Sequence, residues 1–359
     1  MSQLCIRAGT SVIDQIRAEG LPAHRIAAVF AASGAAKWLT ICGLDQAIFS
    51  RFLPASEQPI DLFGTSVGAF KLAAGMQADS VAALANLAEC YIQQDYTEGA
   101  SRDDIDRETQ RILTSVLKDG GSKAVLNHSR YSFHCAAVSC RGRLASERLA
   151  TQRLGMLHAA VLATAGRRAQ ATAWRRTVFG AVDSLPRFAG RDCFKTTGVA
   201  LSEENIHKAL RASGSIPLAM YGVGAFDNRD EGVRYRDGGV IDYHPLPDNL
   251  RTPDDGIVLY PHFYDGFTEG WFDKFAPWRK VAAARLKNVL MVSPSREFVA
   301  SLPEGAIPDR RDFARLSHNP ALRQQRWREA VQRSEELGDE FMALVDSGDI
   351  ASRVEPFVD

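Results

Sequence analysis

Short apolar runs alternate along the chain with longer segments in which apolar residues recur at every third or fourth position. A short uninterrupted run is typical of a strand that is buried on both faces of a sheet, and the wider spacing is typical of a helix with one face on the core. The pattern begins with a helix over 11–19, which ends at Gly20 and Pro22, and a strand over 26–32. This alternation predicts a three-layer α/β fold, with a central, mostly parallel sheet flanked by helices.

The remaining predicted elements follow the same rule. Strands are predicted over 60–63, 131–139, 193–200, 233–236, 257–260 and 289–292, and helices over 37–53, 67–76, 80–94, 102–117 and 320–345. No internal repeat or low-complexity linker divides the chain. We therefore predict one domain over 1–359, with its motif-bearing core at about 26–250.

A segment at about 140–180 differs from the rest, because it holds eight arginines against one acidic residue, Glu147. Small and apolar residues separate the arginines, which predicts an amphipathic helical excursion from the sheet. Such a cationic helix suits contact with anionic lipid head groups, and a solvated face or an interface with an acidic partner explains it equally well. The arginines are Arg141, Arg143, Arg148, Arg153, Arg167, Arg168, Arg175 and Arg176.

The overall composition disfavours several classes of protein. The 43 Lys and Arg balance the 43 Asp and Glu, so no net positive field favours nucleic acid as a partner. Six cysteines are scattered without a C-x-x-C pair, which favours reduced thiols in the cytoplasm. Charged residues interrupt the apolar positions at the start of the sequence, so the pattern does not predict a secretory signal peptide. No apolar run approaches the ~18 residues that a membrane-spanning helix requires. We expect a cytoplasmic protein that meets a membrane only peripherally.

The sequence Gly64-Thr65-Ser66-Val67-Gly68 matches the pattern G-x-S-x-G between a predicted strand and a predicted helix. Two glycines allow a sharp turn that exposes the serine hydroxyl at the carboxyl end of the strand, above the helix N-terminus. A hydroxyl is a weak nucleophile until a base accepts its proton, so Ser66 needs a partner. The structural alternative is a glycine-bounded turn with a capping serine.

Two further segments suit the needs of such a serine. Asp237 ends a predicted strand and is followed by Gly238 and Gly239, which let the backbone pass close to a neighbouring element. The small-residue loop from Ser33 to Lys37 joins a strand to a helix, so its amides suit the stabilisation of a tetrahedral oxyanion. Taken alone, each segment is also compatible with an ordinary turn.

In this order, the small-residue loop, G-x-S-x-G and D-G-G resemble the motifs of the patatin-like phospholipase family. A fourth match is Ala-Ser-Gly-Ser-Ile-Pro over 212–217, which is similar to the A-S-x-A-x-P helix end of that family. Asp-Tyr-His-Pro-Leu over 242–246 stands where the family usually has N-x-P. The resemblance covers about 27–247. It implies a patatin-like fold and the hydrolysis of lipid or other acyl esters, with no metal or other cofactor.

Residue by residue, the resemblance implies Ser66 as the nucleophile. It implies Asp237 as the group that orients and deprotonates the serine, with no histidine required. Gly64, Gly68, Gly238 and Gly239 are the motif glycines around the two.

The resemblance places the oxyanion hole at the amides of Gly34 and Ala35, with Lys37 at the Lys or Arg position of the family. The family loop is normally G-G-G-x-[KR]-G, whereas this chain has Ser33, Ala35 and Trp38 at three of the glycine positions. An alanine preserves the direction of such a donor only where the local φ is negative. The oxyanion hole at these amides therefore depends on the sign of φ at Ala35.

Other residues leave two alternative functions open. His244, His262 and His318 all follow Asp237, so a Ser-His-Asp carboxylesterase is one alternative. A catalytically silent module that binds lipid or a partner is the other, because the oxyanion loop is altered. The aromatic residues over 263–278 suit an interfacial lip, an acyl-chain wall or a packed turn. The substrate stays open among phospholipids, lysolipids, galactolipids and neutral esters, as do acyl transfer and the oligomeric state.

Overall fold

The structure is a computed structural model, which describes residues 2–96, 99–227, 232–251 and 256–358. Ten strands form one sheet. They are β1 Leu4–Ala8, β2 Ile26–Ala31, β3 Ile60–Thr65, β4 Tyr131–Cys140, β5 Arg175–Gly180, β6 Thr196–Ala200, β7 Arg234–Asp237, β8 Ile257–Pro261, β9 Val289–Pro294 and β10 Val354–Pro356. The strand order is β10-β1-β9-β8-β2-β3-β4-β5-β6, and β7 also pairs with β4.

Helices flank this sheet. They are α1 Thr10–Glu19, α2 Cys42–Ala47, α3 Val67–Gly75, α4 Ser80–Ile92, α5 Arg102–Leu117, α6 Gly121–Leu126, α7 Leu149–Thr164, α8 Arg167–Gln170, α9 Ile206–Ser213, α10 Pro247–Leu250, α11 Arg296–Ser301, α12 Asp312–Arg315, α13 Pro320–Arg333, α14 Glu335–Ser347 and α15 Ile350–Arg353. In the described ranges, no helix is both long enough and apolar enough to cross a membrane.

The sheet is mostly parallel, which confirms the predicted α/β fold. Strand β2 runs parallel to β3 and β8, β3 runs parallel to β4, and β8 runs parallel to β9. Every residue of β3, β8 and β9 is buried, so layers of structure cover both faces of these strands. Their uninterrupted apolar sequences are the reason that the pattern alone located them.

Strand β4 brings two sequence-distant segments together. Strand β3 lies beside β4 as far as the pair Thr65 and Ala136. Strand β7 then takes the same side of β4 in the antiparallel direction, with Asp237 opposite Ala137. The ends of β3 and β7 therefore meet beside β4, and Ser66, the next residue after β3, lies beside Asp237.

Three strands are absent from the sequence prediction: β1, β5 and β10. Strand β1 alternates buried and half-buried residues and includes Arg7, so it is not an uninterrupted apolar run. Strand β5 begins with Arg175 and Arg176, and the pattern at β5 was therefore assigned to the helical excursion. Strand β10 has only three residues, Val354–Pro356, of which two are exposed.

The structure corrects two predicted helices. The helix over 320–345 is two helices, α13 and α14, separated at Ser334, whose hydroxyl accepts a hydrogen bond of 2.8 Å from the amide of Gly43. The helix over 37–53 is a 3-10 helix over Ala35–Ile41, then α2, then a π-helical turn over Ile48–Phe52. Apolar spacing locates such segments but does not determine which helical hydrogen-bond pattern they adopt.

The arginine-rich excursion is also only partly helical. Helices α7 and α8 cover its middle, whereas Arg175 and Arg176 belong to strand β5. The Arg176 side chain is fully buried and ion-paired with Asp192 and Asp242. This arginine therefore stabilises the interior and is not available to an anionic surface.

Candidate active site

Ser66 stands on a sharp turn between β3 and α3. Its backbone has φ 54° and ψ −130°, a conformation that L-residues with a side chain rarely adopt. The Ser66 amide donates to the hydroxyl of Ser213 at 3.0 Å, and its carbonyl accepts from the amide of Ala69 at 3.0 Å. These bonds hold the strained turn, and Ser66 lines a cavity.

The glycines of the two motifs permit close backbone approach. A Cβ on Gly68 would lie 2.5 Å from the carbonyl oxygen of Ala31, and a Cβ on Gly238 would lie 2.2 Å from that of Ala136. Both distances are too short for any side chain. Gly68 therefore lets the start of α3 contact β2, and Gly238 lets the segment after β7 cross β4.

Asp237 is the last residue of β7 and is 7% exposed. Its carboxylate oxygen Oδ1 accepts a hydrogen bond of 2.7 Å from the amide of Gly239, and its own amide donates to the carbonyl of Ser215 at 2.8 Å. Burial raises the pKa of Asp237 to about 6. Hydrogen bonding with the Ser66 hydroxyl and the Gly239 amide opposes the rise, as do the charges of Lys274 and Arg310.

A raised pKa suits this carboxylate to act as a base. In water, an aspartate with a pKa of about 3.9 accepts a proton too weakly to activate a hydroxyl. The buried Asp237 is a stronger base and is still ionised at neutral pH.

Two serines that the sequence analysis did not assign to the site support the pair. The Ser213 hydroxyl accepts from the Ser66 amide and donates to the carbonyl of Ala136 at 2.7 Å. The Ser215 carbonyl accepts from the Asp237 amide. Both serines belong to the segment 212–217, so its resemblance to A-S-x-A-x-P was the signal that could have identified them.

The loop over 33–37, which the sequence predicts as an oxyanion loop, is fixed by a chain of hydroxyls. The Ser33 hydroxyl is 2.8 Å from the Thr65 hydroxyl, which donates to the carbonyl of Asp242 at 2.8 Å. The Ser33 amide donates to the carbonyl of Tyr243 at 2.8 Å. Ser33 therefore ties the loop to the segments that carry Ser66 and Asp237.

The amides of Gly34 and Ala35 are free donors at the cavity. Within the ranges that the structure describes, neither amide has a hydrogen-bond acceptor, and both residues line the cavity. Ala35 has a φ of 50°, so the condition of a negative φ at this position is not met. The alanine instead adopts a left-handed conformation that a glycine adopts more readily, and the residue still lines the cavity.

We expect Ala35→Gly to stabilise the protein, because a left-handed φ costs an alanine more than a glycine. The free energy of unfolding in urea should rise by roughly 0.5–1 kcal/mol, with esterase activity retained since the amide remains. Ala36→Gly is the matched control, because Ala36 is the adjacent residue and has no positive φ. That control should lower stability, and an equal loss in both variants would contradict the strain at Ala35.

Lys37 lines the cavity and forms an ion pair with Asp309. Burial alone would raise the pKa of Asp309, but hydrogen bonds from Lys37 and from the backbone of Arg311 lower it to about 2. Asp309 is therefore a fixed anion, and Lys37 is held by this ion pair beside the oxyanion loop. The Nζ of Lys274 lies 3.4 Å from the centre of the Tyr243 ring, and burial, with the charges of Lys37 and Arg310, lowers the pKa of this lysine to about 7.

The cavity has a volume of about 500 Å³ and a lining of both polar and apolar residues. The polar lining includes Ser66, Asp237 and Ser33. The apolar lining includes Met156, Ile216, Pro217, Leu218, Val240 and Trp271. This volume and lining suit an ester whose acyl chain contacts the apolar residues.

No histidine lines this cavity, and all eight histidines belong to the described ranges. His244 is fully buried, accepts at Nδ1 from the Thr268 amide at 2.9 Å and contacts the His262 ring at a centroid distance of 4.3 Å. Burial moves the pKa of His244 well below its usual value. His318 is exposed after α12. No group of three described His, Cys, Asp or Glu residues is arranged to hold a metal ion.

No protein-family model matches the chain, and no curated protein matches it by sequence. Among solved structures, the chain is similar to VipD from Legionella pneumophila, with 12% identity and a TM-score of 0.34 over 99% of this chain and 75% of that one. A similarity at this level assigns neither a family nor an activity. The chemistry of the cavity is therefore inferred from its own residues.

Proposed function

We propose that the protein is a serine hydrolase of the patatin-like type, which cleaves acyl esters of lipids through a Ser66–Asp237 dyad. The observation that carries the proposal is one cavity that holds a serine on a strained turn, a buried carboxylate and two unbonded amides. A general base, a nucleophile and oxyanion donors are the components of acyl transfer. The apolar lining of the cavity supports a lipid acyl chain as the substrate group.

The reaction has two halves. The Ser66 hydroxyl oxygen attacks the ester carbonyl carbon while its proton passes to Asp237 and the carbonyl oxygen gains negative charge against the amides of Gly34 and Ala35. The carbon–oxygen ester bond then breaks, and Asp237 returns the proton to the leaving alcohol. Water repeats the attack on the acyl-enzyme, with Asp237 again accepting and returning one proton.

The lipid class that fits the proposal best is a phospholipid or lysophospholipid. Lys37 and Arg310 line the cavity and supply cations, and Lys274, whose pKa burial lowers to about 7, adds a partial positive charge at neutral pH. Lys274 and Arg310 form no ion pair with another described residue. A substrate with an anionic head group would balance these charges, whereas a neutral ester would not.

A panel of four proteins tests the dyad. Wild type, Ser66→Ala, Asp237→Asn and His244→Asn are compared by hydrolysis of short p-nitrophenyl esters and by labelling with a fluorophosphonate. We expect labelling of wild type at Ser66, and a loss of activity by about 10²–10⁴-fold in the first two variants. His244→Asn should stay active, because the asparagine oxygen can replace Nδ1 as the acceptor from Thr268.

Loss of activity in a folded His244→Asn protein would favour a Ser-His-Asp carboxylesterase. A wild-type protein that neither hydrolyses the esters nor reacts with the fluorophosphonate would favour the silent binding module. Retention of near wild-type activity by Asp237→Asn would exclude the dyad.

A further inference from the structure

Helix α7 is packed with its small residues inwards and its large apolar residues outwards. Gly155, Ala159 and Ala163 face the interior. Leu154, Leu157 and Val161 are 56%, 63% and 60% exposed, and their spacing of three and four residues places them on one face. A helix that packs only against the core of a globular protein has its large apolar side chains inwards and its polar side chains outwards.

Close packing explains why this orientation persists. A Cβ on Gly155 would stand 3.0 Å from the backbone of Arg143, so the buried face of α7 has no room for a large side chain at this position. Gln152 on the same face accepts from the Arg102 guanidinium at 2.7 Å and from the Leu218 amide at 3.0 Å. Rotation of the leucines inwards would break these bonds and collide with the neighbouring backbone.

The segment after Gly270 continues the exposed apolar surface. Phe275 is 69% exposed and Trp278 is 75% exposed. The Arg279 guanidinium fastens this segment to the end of α7, donating to the carbonyls of Ala163 at 2.7 Å and Thr164 at 2.8 Å. Of ten large apolar side chains that are exposed in the described ranges, six belong to α7 or to this segment. We call Leu154, Leu157, Val161, Phe275 and Trp278 the apolar rim.

The apolar rim is continuous with the wall of the active-site cavity. Met156 of α7 and Trp271 both line the cavity. The Trp271 ring contacts the Phe275 ring at a centroid distance of 5.5 Å. Side chains of α7 and of the segment Trp271–Phe275 also share one small apolar core. Any external surface that contacts the apolar rim would therefore lie next to the cavity.

The charges around the apolar rim are cationic. Helix α7 carries Arg153 and His158 as its only ionisable side chains and is preceded by Arg148. In 271–280 the one acid, Asp273, is buried and ion-paired with Arg279 at 3.2 Å, whereas Lys280 is exposed. Lys274 lines the cavity, and burial lowers its pKa to about 7. A second copy of the chain would oppose like charges across a symmetric contact. An anionic surface is favoured instead.

We propose that the apolar rim inserts into the interface of an anionic lipid bilayer and so presents the cavity to membrane lipid. An exposed aromatic pair beside leucines and basic residues is the composition of an interfacial membrane-binding surface. The arginine-rich segment then contributes charge around the contact, and the leucines and aromatics supply the insertion. Delivery of lipid to the cavity rests on the proposed function, whereas the membrane contact does not.

Vesicle flotation tests the contact in a Ser66→Ala background, in which no lipid is hydrolysed. Two paired variants remove the apolar rim, Leu154→Gln with Leu157→Gln and Phe275→Ser with Trp278→Ser. The matched control changes two exposed valines elsewhere, Val182→Ser with Val358→Ser, which are 67% and 72% exposed. All of these side chains face solvent, and thermal melting checks that each variant stays folded.

We expect the parent protein to bind vesicles of phosphatidylcholine with phosphatidylserine more tightly than vesicles of phosphatidylcholine alone. Each apolar-rim pair should weaken that binding by about tenfold or more, because insertion of large apolar side chains removes their surface from water. The valine control should bind as the parent does. A parent that does not float, or apolar-rim variants that float as well as the control, would overturn the proposal.

Measurements of oligomeric state and of soluble-ester hydrolysis distinguish membrane contact from self-association and from the proposed function. A parent dimer that the apolar-rim variants convert to monomer would assign the apolar rim to self-association and overturn membrane contact. On the Ser66 background, the apolar-rim variants should hydrolyse a soluble p-nitrophenyl ester as wild type does. A protein that is inert to esters yet binds through the apolar rim would refute the proposed function alone.

Discussion

Asp237→Asn is expected to lower the proposed esterase activity by about 10²–10⁴-fold and, at the same time, to raise the free energy of unfolding at pH 8. Folding buries the Asp237 carboxyl and raises its pKa from 3.8 to about 6. Between these values the unfolded chain loses the proton before the folded protein does, so this group destabilises the fold increasingly as pH rises through the window. Above about pH 6 the cost is constant and amounts to at most about 3 kcal/mol.

Asparagine removes that cost because it is neutral at every pH, and its oxygen still accepts from the Gly239 amide. We expect a gain of about 1–3 kcal/mol at pH 8 that disappears near pH 4, where the wild-type carboxyl is protonated in the folded protein. Urea unfolding of both proteins at the two pH values measures the difference. A loss of stability at pH 8 would show that the site stabilises the carboxylate and would contradict the raised pKa.

The raised pKa of Asp237 also predicts the pH below which activity falls. Asp237 must be ionised to accept the Ser66 proton, so kcat/KM for a soluble ester should fall below a pH of about 6.

Arg176→Met should be the most destabilising single substitution that we consider. The buried guanidinium donates to both carboxylate oxygens of Asp242 at 2.7 and 2.8 Å, and to both oxygens of Asp192 at 2.8 Å. Removing it leaves two largely buried carboxylates with only partial compensation from Arg167. Removal of one partner from a buried ion pair costs about 3–5 kcal/mol, and we expect a loss of that size.

Arg175→Met is the control for this prediction, because Arg175 is the neighbouring residue of β5 and is exposed. Urea unfolding should place it within roughly 0.5 kcal/mol of wild type. Equal effects of the two substitutions would mean that the buried ion pairs contribute little beyond the volume that they fill.

Parts of the fold that depend on uninterrupted apolar sequence were predictable. The strands β2, β3, β8 and β9 and the helices α4 and α5 follow the sequence pattern closely. Strand β5 was not predictable, because its Arg176 is buried only through Asp192 and Asp242, which are distant in sequence. The sequence pattern does not show which charged residues form ion pairs in the interior of the protein.

The candidate site was located by motif order, and its local geometry was not predictable. The left-handed φ of Ala35 and the supporting bonds of Ser213 depend on contacts between segments that are far apart in the chain. The orientation of α7 was also hidden, because leucines in a helix ordinarily face the core. In this protein the backbone of Arg143 approaches Gly155 too closely to leave room for them.

The hydroxyl chain from Ser33 through Thr65 to Asp242 has a consequence for protein engineering. It joins the loop at Ser33, the segment that carries Thr65 and Ser66, and the segment after Asp237. A chimera that exchanges the Thr65 segment for one without this hydroxyl would lose both bonds, whereas exchange of the Ser33 loop would lose one. Transfer of this arrangement to another scaffold therefore requires the Ser33 and Thr65 segments to move together.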